Sequence, residues 1–226
     1  MIISCKKVEK NAINSNVLEK EIVMNKLDEA VLSAGNLFRI EAFPTTTITT
    51  RPVDIWLPDS YTDSKKYAVL YMHDGQMLFD STTTWNKQEW KVDEWASKLM
   101  EEGKTKDFIV VGPHNISEIR WNDYFPQKAL DYLTEEEKKS IFDDAMNTNQ
   151  NTSLNADNYL KFLSEELKPF IDSTYSVHTD LENTFIAGSS MGGLISMYAM
   201  CEYPDVFGGA ACISTHWPGA SPRENN

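Results

Sequence analysis

The 226-residue chain predicts an α/β fold, a doubly wound and mostly parallel sheet with helices on both faces. Three observations carry that expectation. Tyr67–Met72 is a continuous apolar run of the kind buried on both faces of a parallel sheet, and Thr184–Ala187 reads as a second short strand. Each is followed by a glycine-containing loop and then by a helical pattern, the alternation of βαβ units. The second of these loops, Gly188-Ser189-Ser190-Met191-Gly192-Gly193, passes from strand to helix with room for only one tight turn.

The elements follow in order. Residues 1–35 read as an N-terminal extension with a weak helical pattern in Val17, Leu18, Ile22, Leu27 and Val31. Asn36–Glu41 and Arg51–Leu57 alternate apolar and polar residues and predict a leading antiparallel pair. Tyr67–Met72 is the first buried strand and leads into His73-Asp74-Gly75-Gln76. A helix over Val92–Glu101 ends near Gly103. The strand Phe108–Val111 is then broken by Gly112-Pro113-His114-Asn115. Thr134–Met146 is an acidic helical stretch and Asn147–Asn155 an asparagine-rich linker. As an insertion over 130–157 after a strand's C-terminal end, the segment is either a lid or a solvated surface excursion. Asn158–Tyr175 places Tyr159, Phe162, Leu163, Leu167 and Phe170 on one helical face. Leu194–Met200 suits a buried helix, and Val206–Ile213 a final strand. One domain over 36–226 accounts for all of these.

Composition narrows the function. With 41% hydrophobic and 24% charged residues the chain is ordinary for a globular protein, and its net charge of -13 disfavours nucleic acid and anionic membrane surfaces as partners. No apolar run is long enough to span a membrane. Cys5, Cys201 and Cys212 have no metal-ligand spacing and form no disulfide framework, so the expected chemistry uses no metal and no cofactor. Ile2-Ile3-Ser4-Cys5 resembles the end of a bacterial lipoprotein signal without its preceding apolar stretch, and extracytoplasmic and cytoplasmic locations both stay open.

The chemistry lies in Gly188-Ser189-Ser190-Met191-Gly192. Gly-x-Ser-x-Gly needs small residues two before and two after the serine, because the turn strains the serine backbone and brings the neighbouring chain close. Such a nucleophile elbow would hold the Ser190 hydroxyl above the C-terminal edge of the sheet, where the first helical N–H groups face a developing oxyanion. An acyl-transferring serine also needs a second oxyanion donor and a histidine oriented by a carboxylate. The Met191 N–H is one donor. The loop after the preceding buried strand supplies the other through the Gln76 N–H, with Gly75 letting the backbone turn.

Leu70–Asp80 and Ile186–Gly193 together resemble the Putative esterase family of α/β hydrolases, which includes feruloyl, enterochelin and S-formylglutathione esterases and mycolyltransferases. Trp90-Lys91-Val92-Asp93, Ile109–Gly112, Arg120 with Tyr124 and Pro126, and Tyr203–Phe207 extend the match over residues 36–217. The resemblance implies Ser190 as nucleophile, Met191 and Gln76 as oxyanion donors, and a small-molecule carboxylic ester as substrate. His73, Arg120, His216 and Trp217 stand on the substrate side in this reading. His73 and Asp74 also hold the oxyanion loop in shape, and Arg120 either meets an acidic group of the substrate or braces the loop.

The departure from the family pattern is equally specific. Members usually carry the acid and the histidine on loops after two further strands, whereas this chain stops 36 residues after Ser190. The expectation is therefore an α/β-hydrolase fold lacking its last strands and helices, with impaired turnover and self-association through an exposed sheet edge. Asp205 begins the final strand and falls at the wrong edge of the sheet. His216 follows that strand and is either pocket lining or a makeshift base. A non-catalytic ester- or carbohydrate-binding remnant and an acyltransferase remain as alternatives.

Overall fold

The computed structural model describes residues 22–147 and 153–217. A seven-stranded sheet in the order β1-β2-β3-β5-β4-β6-β7 forms its centre. β2 (Asn36–Ile40) and β3 (Val53–Leu57) are antiparallel, as their alternation predicts, and β3 pairs antiparallel with β5. β4 (Ala68–Met72), β5 (Phe108–Pro113), β6 (Thr184–Ser189) and β7 (Gly209–Ile213) pair in parallel.

Strand side chains alternate between two apolar layers. Val69, Tyr71, Ile109, Val111 and Ile186 enter one buried cluster, while Met72, Val110 and Ala187 enter the other. The second layer lies under α1 (Val92–Glu101), which contributes Ala96. Its predicted bounds hold, with Gly103 in the left-handed region at φ 65° just past its end. α2 (Arg120–Tyr124) and α3 (Glu135–Asn147) follow β5. One long helical segment then covers the first layer: α4 (Ala156–Lys161), a π turn over Phe162–Leu167, and α5 (Lys168–Thr174). The π turn ends against Pro169, whose ring lacks an N–H and crowds the carbonyl four residues back, so the wider turn removes a conflict within the helix. α6 (Met191–Glu202) completes that face, buried along most of its length.

Three expectations change. Ile22, Leu27 and Val31 belong to no helix. Asn25–Lys26 is a short strand, β1, on the edge of β2, and the Leu27 N–H donates to the Leu37 carbonyl at 2.9 Å. The next residues are tied down by buried acids, Val31 N–H to Asp80 and the Ser33 and Ala34 N–H groups to Asp93, so this stretch is part of the domain. The last strand begins at Gly209, since Val206 and Phe207 form a turn whose N–H groups both return to the Tyr203 carbonyl while Phe207 fills the core. Cys5, Val17 and Leu18 lie outside the described residues.

The insertion over 130–157 is anchored along α6. At the insertion's C-terminal end the Tyr198 hydroxyl donates to Asp157 at 2.6 Å, and just before its start Lys128 pairs with Glu202. Tyr198 lies eight residues along α6 from Ser190, about 12 Å at helical rise. Among the described residues β7 pairs only with β6, and Ala210, Ala211 and Ile213 are exposed.

β4 is where the chain reverses direction across the sheet. The β4–α1–β5 crossover goes to one side, and the long return from β5 to β6 goes to the other. In open α/β sheets this is the crevice where ligands bind, outside the strand C-termini. The loop His73–Gln76 and the turn at Ser190 both open onto it.

Candidate active site

Ser190 joins β6 to α6 with φ 57° and ψ -121°, a conformation that L-residues rarely adopt. The local sequence makes it accessible. A Cβ on Gly188 would lie 2.6 Å from the Gly192 carbonyl group, and one on Gly193 would lie 2.9 Å from Thr215 Oγ1 and 3.2 Å from the Gly188 carbonyl oxygen. The end of β7 fastens the turn on both sides. The Ser190 N–H donates to the Ile213 carbonyl at 3.0 Å, and its own carbonyl accepts from the His216 N–H at 3.1 Å. The first N–H groups of a helix have no intrahelical acceptor, so Met191 and Gly192 present theirs at the α6 N-terminus beside the Ser190 side chain.

The facing loop leaves β4 through His73, whose N–H donates to the Ala187 carbonyl at 2.9 Å. Asp74 takes the left-handed conformation, φ 62° and ψ 45°, and opens a 3₁₀ turn over Gly75–Met77 that carries Gln76. Sequence reasoning assigned the turning to Gly75, but Asp74 does it. Gly75 is required by proximity, since a Cβ there would fall 2.1 Å from the Gly112 carbonyl oxygen of β5. The Gln76 side chain is also fixed, with Oε1 accepting from the Asn115 N–H at 3.1 Å.

His73 is withdrawn from any substrate-binding role. It is 2% exposed, its Nδ1 lies 2.9 Å from the Tyr159 hydroxyl, and it sits within a box of Tyr124 and Tyr159 rings. Burial brings its pKa down to about 4, with the nearby Arg120 cation acting in the same direction and Asp74 opposing it. Arg120 is committed as well. Its Nε and Nη2 donate to the two Asp74 oxygens at 2.8 Å each, so the guanidinium fork is not open for a substrate acid, and of the two roles expected it takes the bracing one. Burial raises the Asp74 pKa, but the hydrogen bond and charge of Arg120 and the Asn115 amide outweigh it and leave the carboxyl below its usual range.

His216 and Trp217 are exposed beyond the end of β7, with Trp217 52% accessible. Neither lines the cleft beside the His73–Gln76 loop. That cleft, about 320 Å³, is walled by Gln76, Met77, Trp85, Trp90, Asn115, Ser117 and the Asp74–Arg120 pair. The other histidines are accounted for: His114 Nε2 lies 2.8 Å from Asp54, and His178 is half-exposed near Asp180. No hydrogen bond reaches Ser190 Oγ from any histidine among the described residues, which include all four in the chain. Asp205 is exposed in the turn before β7 and pairs with no histidine. Among the described residues no cluster of metal-ligating side chains occurs, and no helix is long and apolar enough to cross a membrane.

Sequence reasoning missed Asn115, Trp85 and the Tyr124–Tyr159 box. Asn115 carried one usable signal, its position just past the C-terminal end of β5. Tyr159 carried only helical periodicity, and Tyr124 only its place beside Arg120 in the family resemblance.

The sheet order and the strand–elbow–helix at its C-terminal edge define an α/β-hydrolase. The fold is shared with a ferulic acid esterase from Anaeromyces mucronatus, with a TM-score of 0.56 and 23% identity over 85% of this chain and 63% of that one. It is shared too with an IroE-like serine hydrolase from Shewanella oneidensis, with a TM-score of 0.56 and 22% identity over 78% of this chain and 50% of that one. Residues 45–223 match the model of the family described as Putative esterase, and the chain belongs to that family. Among curated proteins, YbbA of Bacillus subtilis is 26% identical over 74% of this chain and 58% of its own length. An endo-1,4-beta-xylanase/feruloyl esterase of Xylanibacter ruminicola is 26% identical over 78% of this chain and 21% of its own. The chain thus spans well under two thirds of the curated relatives it matches.

Proposed function

We propose that this chain is a serine carboxylic-ester hydrolase acting through an acyl-enzyme on Ser190. Ser190 Oγ adds to the ester carbonyl carbon, and the carbonyl oxygen takes up the negative charge facing the Met191 and Gln76 N–H groups. The C–O bond to the alcohol then breaks, the serine proton leaves with the alcohol, and water releases the acid in the same two steps. The observation that carries this reading is the backbone of Ser190, φ 57° and ψ -121°, strain with no structural purpose unless the hydroxyl must stand clear of the sheet. Family membership supports ester chemistry in particular.

Proton transfer is the weak step. With no histidine hydrogen-bonded to Ser190 Oγ, the 226-residue chain retains roughly the 10³–10⁴-fold advantage over water that an oxyanion hole and binding provide alone. An activated phenyl ester is therefore turned over slowly, and His216→Ala changes the rate little. A fluorophosphonate probe read by mass spectrometry tests the assignment. The expected adduct is on Ser190 and is absent from Ser190→Ala; labelling elsewhere refutes the nucleophile. Fast turnover lost in both Ser190→Ala and His216→Ala would instead make His216 the base. That no histidine among the described residues reaches Ser190 Oγ favours one second reading, a protein that binds esters without cleaving them, and a stable complex with no adduct would establish it.

A further inference from the structure

The two proposed oxyanion donors lie on separate parts of the chain. Gln76 is on the loop after β4, while Met191 begins α6. Backbone pairing ties the two segments only up to the root of the loop, at His73 N–H to Ala187 carbonyl. Beyond that point the link is made by side chains. Arg120 Nε donates to Asp74 Oδ1 and Nη2 to Oδ2, both at 2.8 Å, and the same Nη2 reaches the Ser189 carbonyl at 3.4 Å. Asp74 Oδ1 also accepts from Asn115 Nδ2 at 2.7 Å, and Asn115 in turn holds Gln76 through its backbone N–H. The carboxylate lies against the first turn of α6, since a Cβ on Gly192 would be 3.4 Å from Asp74 Oδ2. The guanidinium rests 4.9 Å above the Tyr124 ring, which is wholly buried.

We propose that the Asp74–Arg120 pair is a positioning clamp that sets the separation of the Gln76 and Met191 N–H groups across the oxyanion site. The proposal rests on Ser190 being the nucleophile. The geometry suits the task. An oxyanion hole works only if both donors stand about 2.7–3.1 Å from the position the oxygen will occupy, and a shift of a few tenths of an ångström in one of them is felt in the rate. A bidentate Arg–carboxylate pair fixes direction as well as distance, which a lysine ammonium does not. Asp74 is also the residue whose left-handed backbone starts the turn that aims Gln76, so its side chain and main chain act on the same loop. Neither residue touches the reacting atoms. Both are positioning residues.

The experiment uses the full chain with Arg120→Ala, Arg120→Lys and Asp74→Asn. Three quantities are read: the second-order rate of fluorophosphonate labelling at Ser190, the thermal midpoint, and the phosphorus-31 chemical shift of the adduct, whose P–O group occupies the oxyanion site. Arg120→Ala is expected to slow labelling about 100-fold, the lower end for losing one donor. Arg120→Lys should recover only a small part of that loss. The phosphorus resonance should move toward that of an unbound phosphonate ester, and added methylguanidine should restore the Arg120→Ala rate severalfold. If labelling falls only in step with the thermal midpoint, with an unmoved resonance and no rescue, the pair is a fold brace and the proposal fails. Unchanged labelling in Arg120→Ala defeats the clamp alone. No adduct on Ser190 in the unaltered chain defeats the nucleophile, and the clamp with it.

Discussion

Replacing Ser190 by glycine is expected to stabilise the protein while removing its reactive group. The residue holds φ 57° and ψ -121°, and such conformations cost a side chain about 1–3 kcal/mol, nearly all of which glycine recovers. Against this stands the greater freedom of glycine in the unfolded chain, about 0.5–1 kcal/mol. The hydroxyl makes no hydrogen bond among the described residues, so its loss subtracts little. The net gain is roughly 1 kcal/mol, or about 2–4 °C in thermal midpoint for a domain of this size. Ser190→Ala is the essential comparison, because alanine keeps the Cβ and hence the strain and should lie close to the unaltered protein. Urea denaturation of the three proteins, with fluorophosphonate labelling as the functional readout, separates the terms. The order Ser190→Gly above Ser190→Ala, with neither labelled, is the expected result. Equal stabilities for the two variants would mean that the turn carries no strain to release, and the main support for Ser190 would go with it.

Two further outcomes follow from the same contacts. Gly75→Ala should lower both stability and labelling, because its Cβ would meet the Gly112 carbonyl oxygen at 2.1 Å and either β5 or the oxyanion loop must yield; crowding of this kind typically costs about 1–3 kcal/mol. A thermal midpoint within a degree of the unaltered protein would show that the loop does not rest on β5. His73 should make stability fall in mild acid: its folded pKa of about 4 lies below the ordinary 6.5, so protons bind the unfolded chain first and the contribution, full above pH 6.5, is lost as pH falls toward 4. Between pH 7.5 and 5 the loss is about 2 kcal/mol, and urea titrations should find it reduced by that amount in His73→Gln; equal pH dependence in both proteins would refute it.

Legibility in the sequence followed the range of the interactions. β4 and β6 were visible because each carries a short apolar run, Ala68–Met72 and Phe185–Ala187, followed directly by a glycine-containing loop. α1 was visible because its apolar periodicity is local and Gly103, left-handed at φ 65°, marks its end. Residues 22–34 were not, since what holds them is a set of backbone N–H groups bonded to Asp80 and Asp93 some 50–60 residues away, which leaves no periodic trace. Phe207 misled for a related reason. An apolar residue completing the core from a turn has the same composition as one in a strand.

The elbow and the clamp differ in the same way. Gly188, Ser190 and Gly192 are legible because their requirement is steric and contained within five residues: whichever protein carries the turn, a Cβ at Gly188 meets the Gly192 backbone. Asp74 and Arg120 are 46 residues apart, and each has an ordinary alternative role as a solvated charge or a substrate contact. Only the fold shows that they answer each other, and it thereby removes Arg120 from the substrate's side of the site. The consequence bears on chemistry. With Arg120 neutralised by Asp74 and His73 enclosed by tyrosines, the groups left to face a ligand in the cleft are Gln76, Met77, Trp85, Trp90, Asn115 and Ser117, none of them charged. A neutral ester would lose little hydration energy on entering such a cleft, whereas a free carboxylate would find no unpaired cation to replace its water.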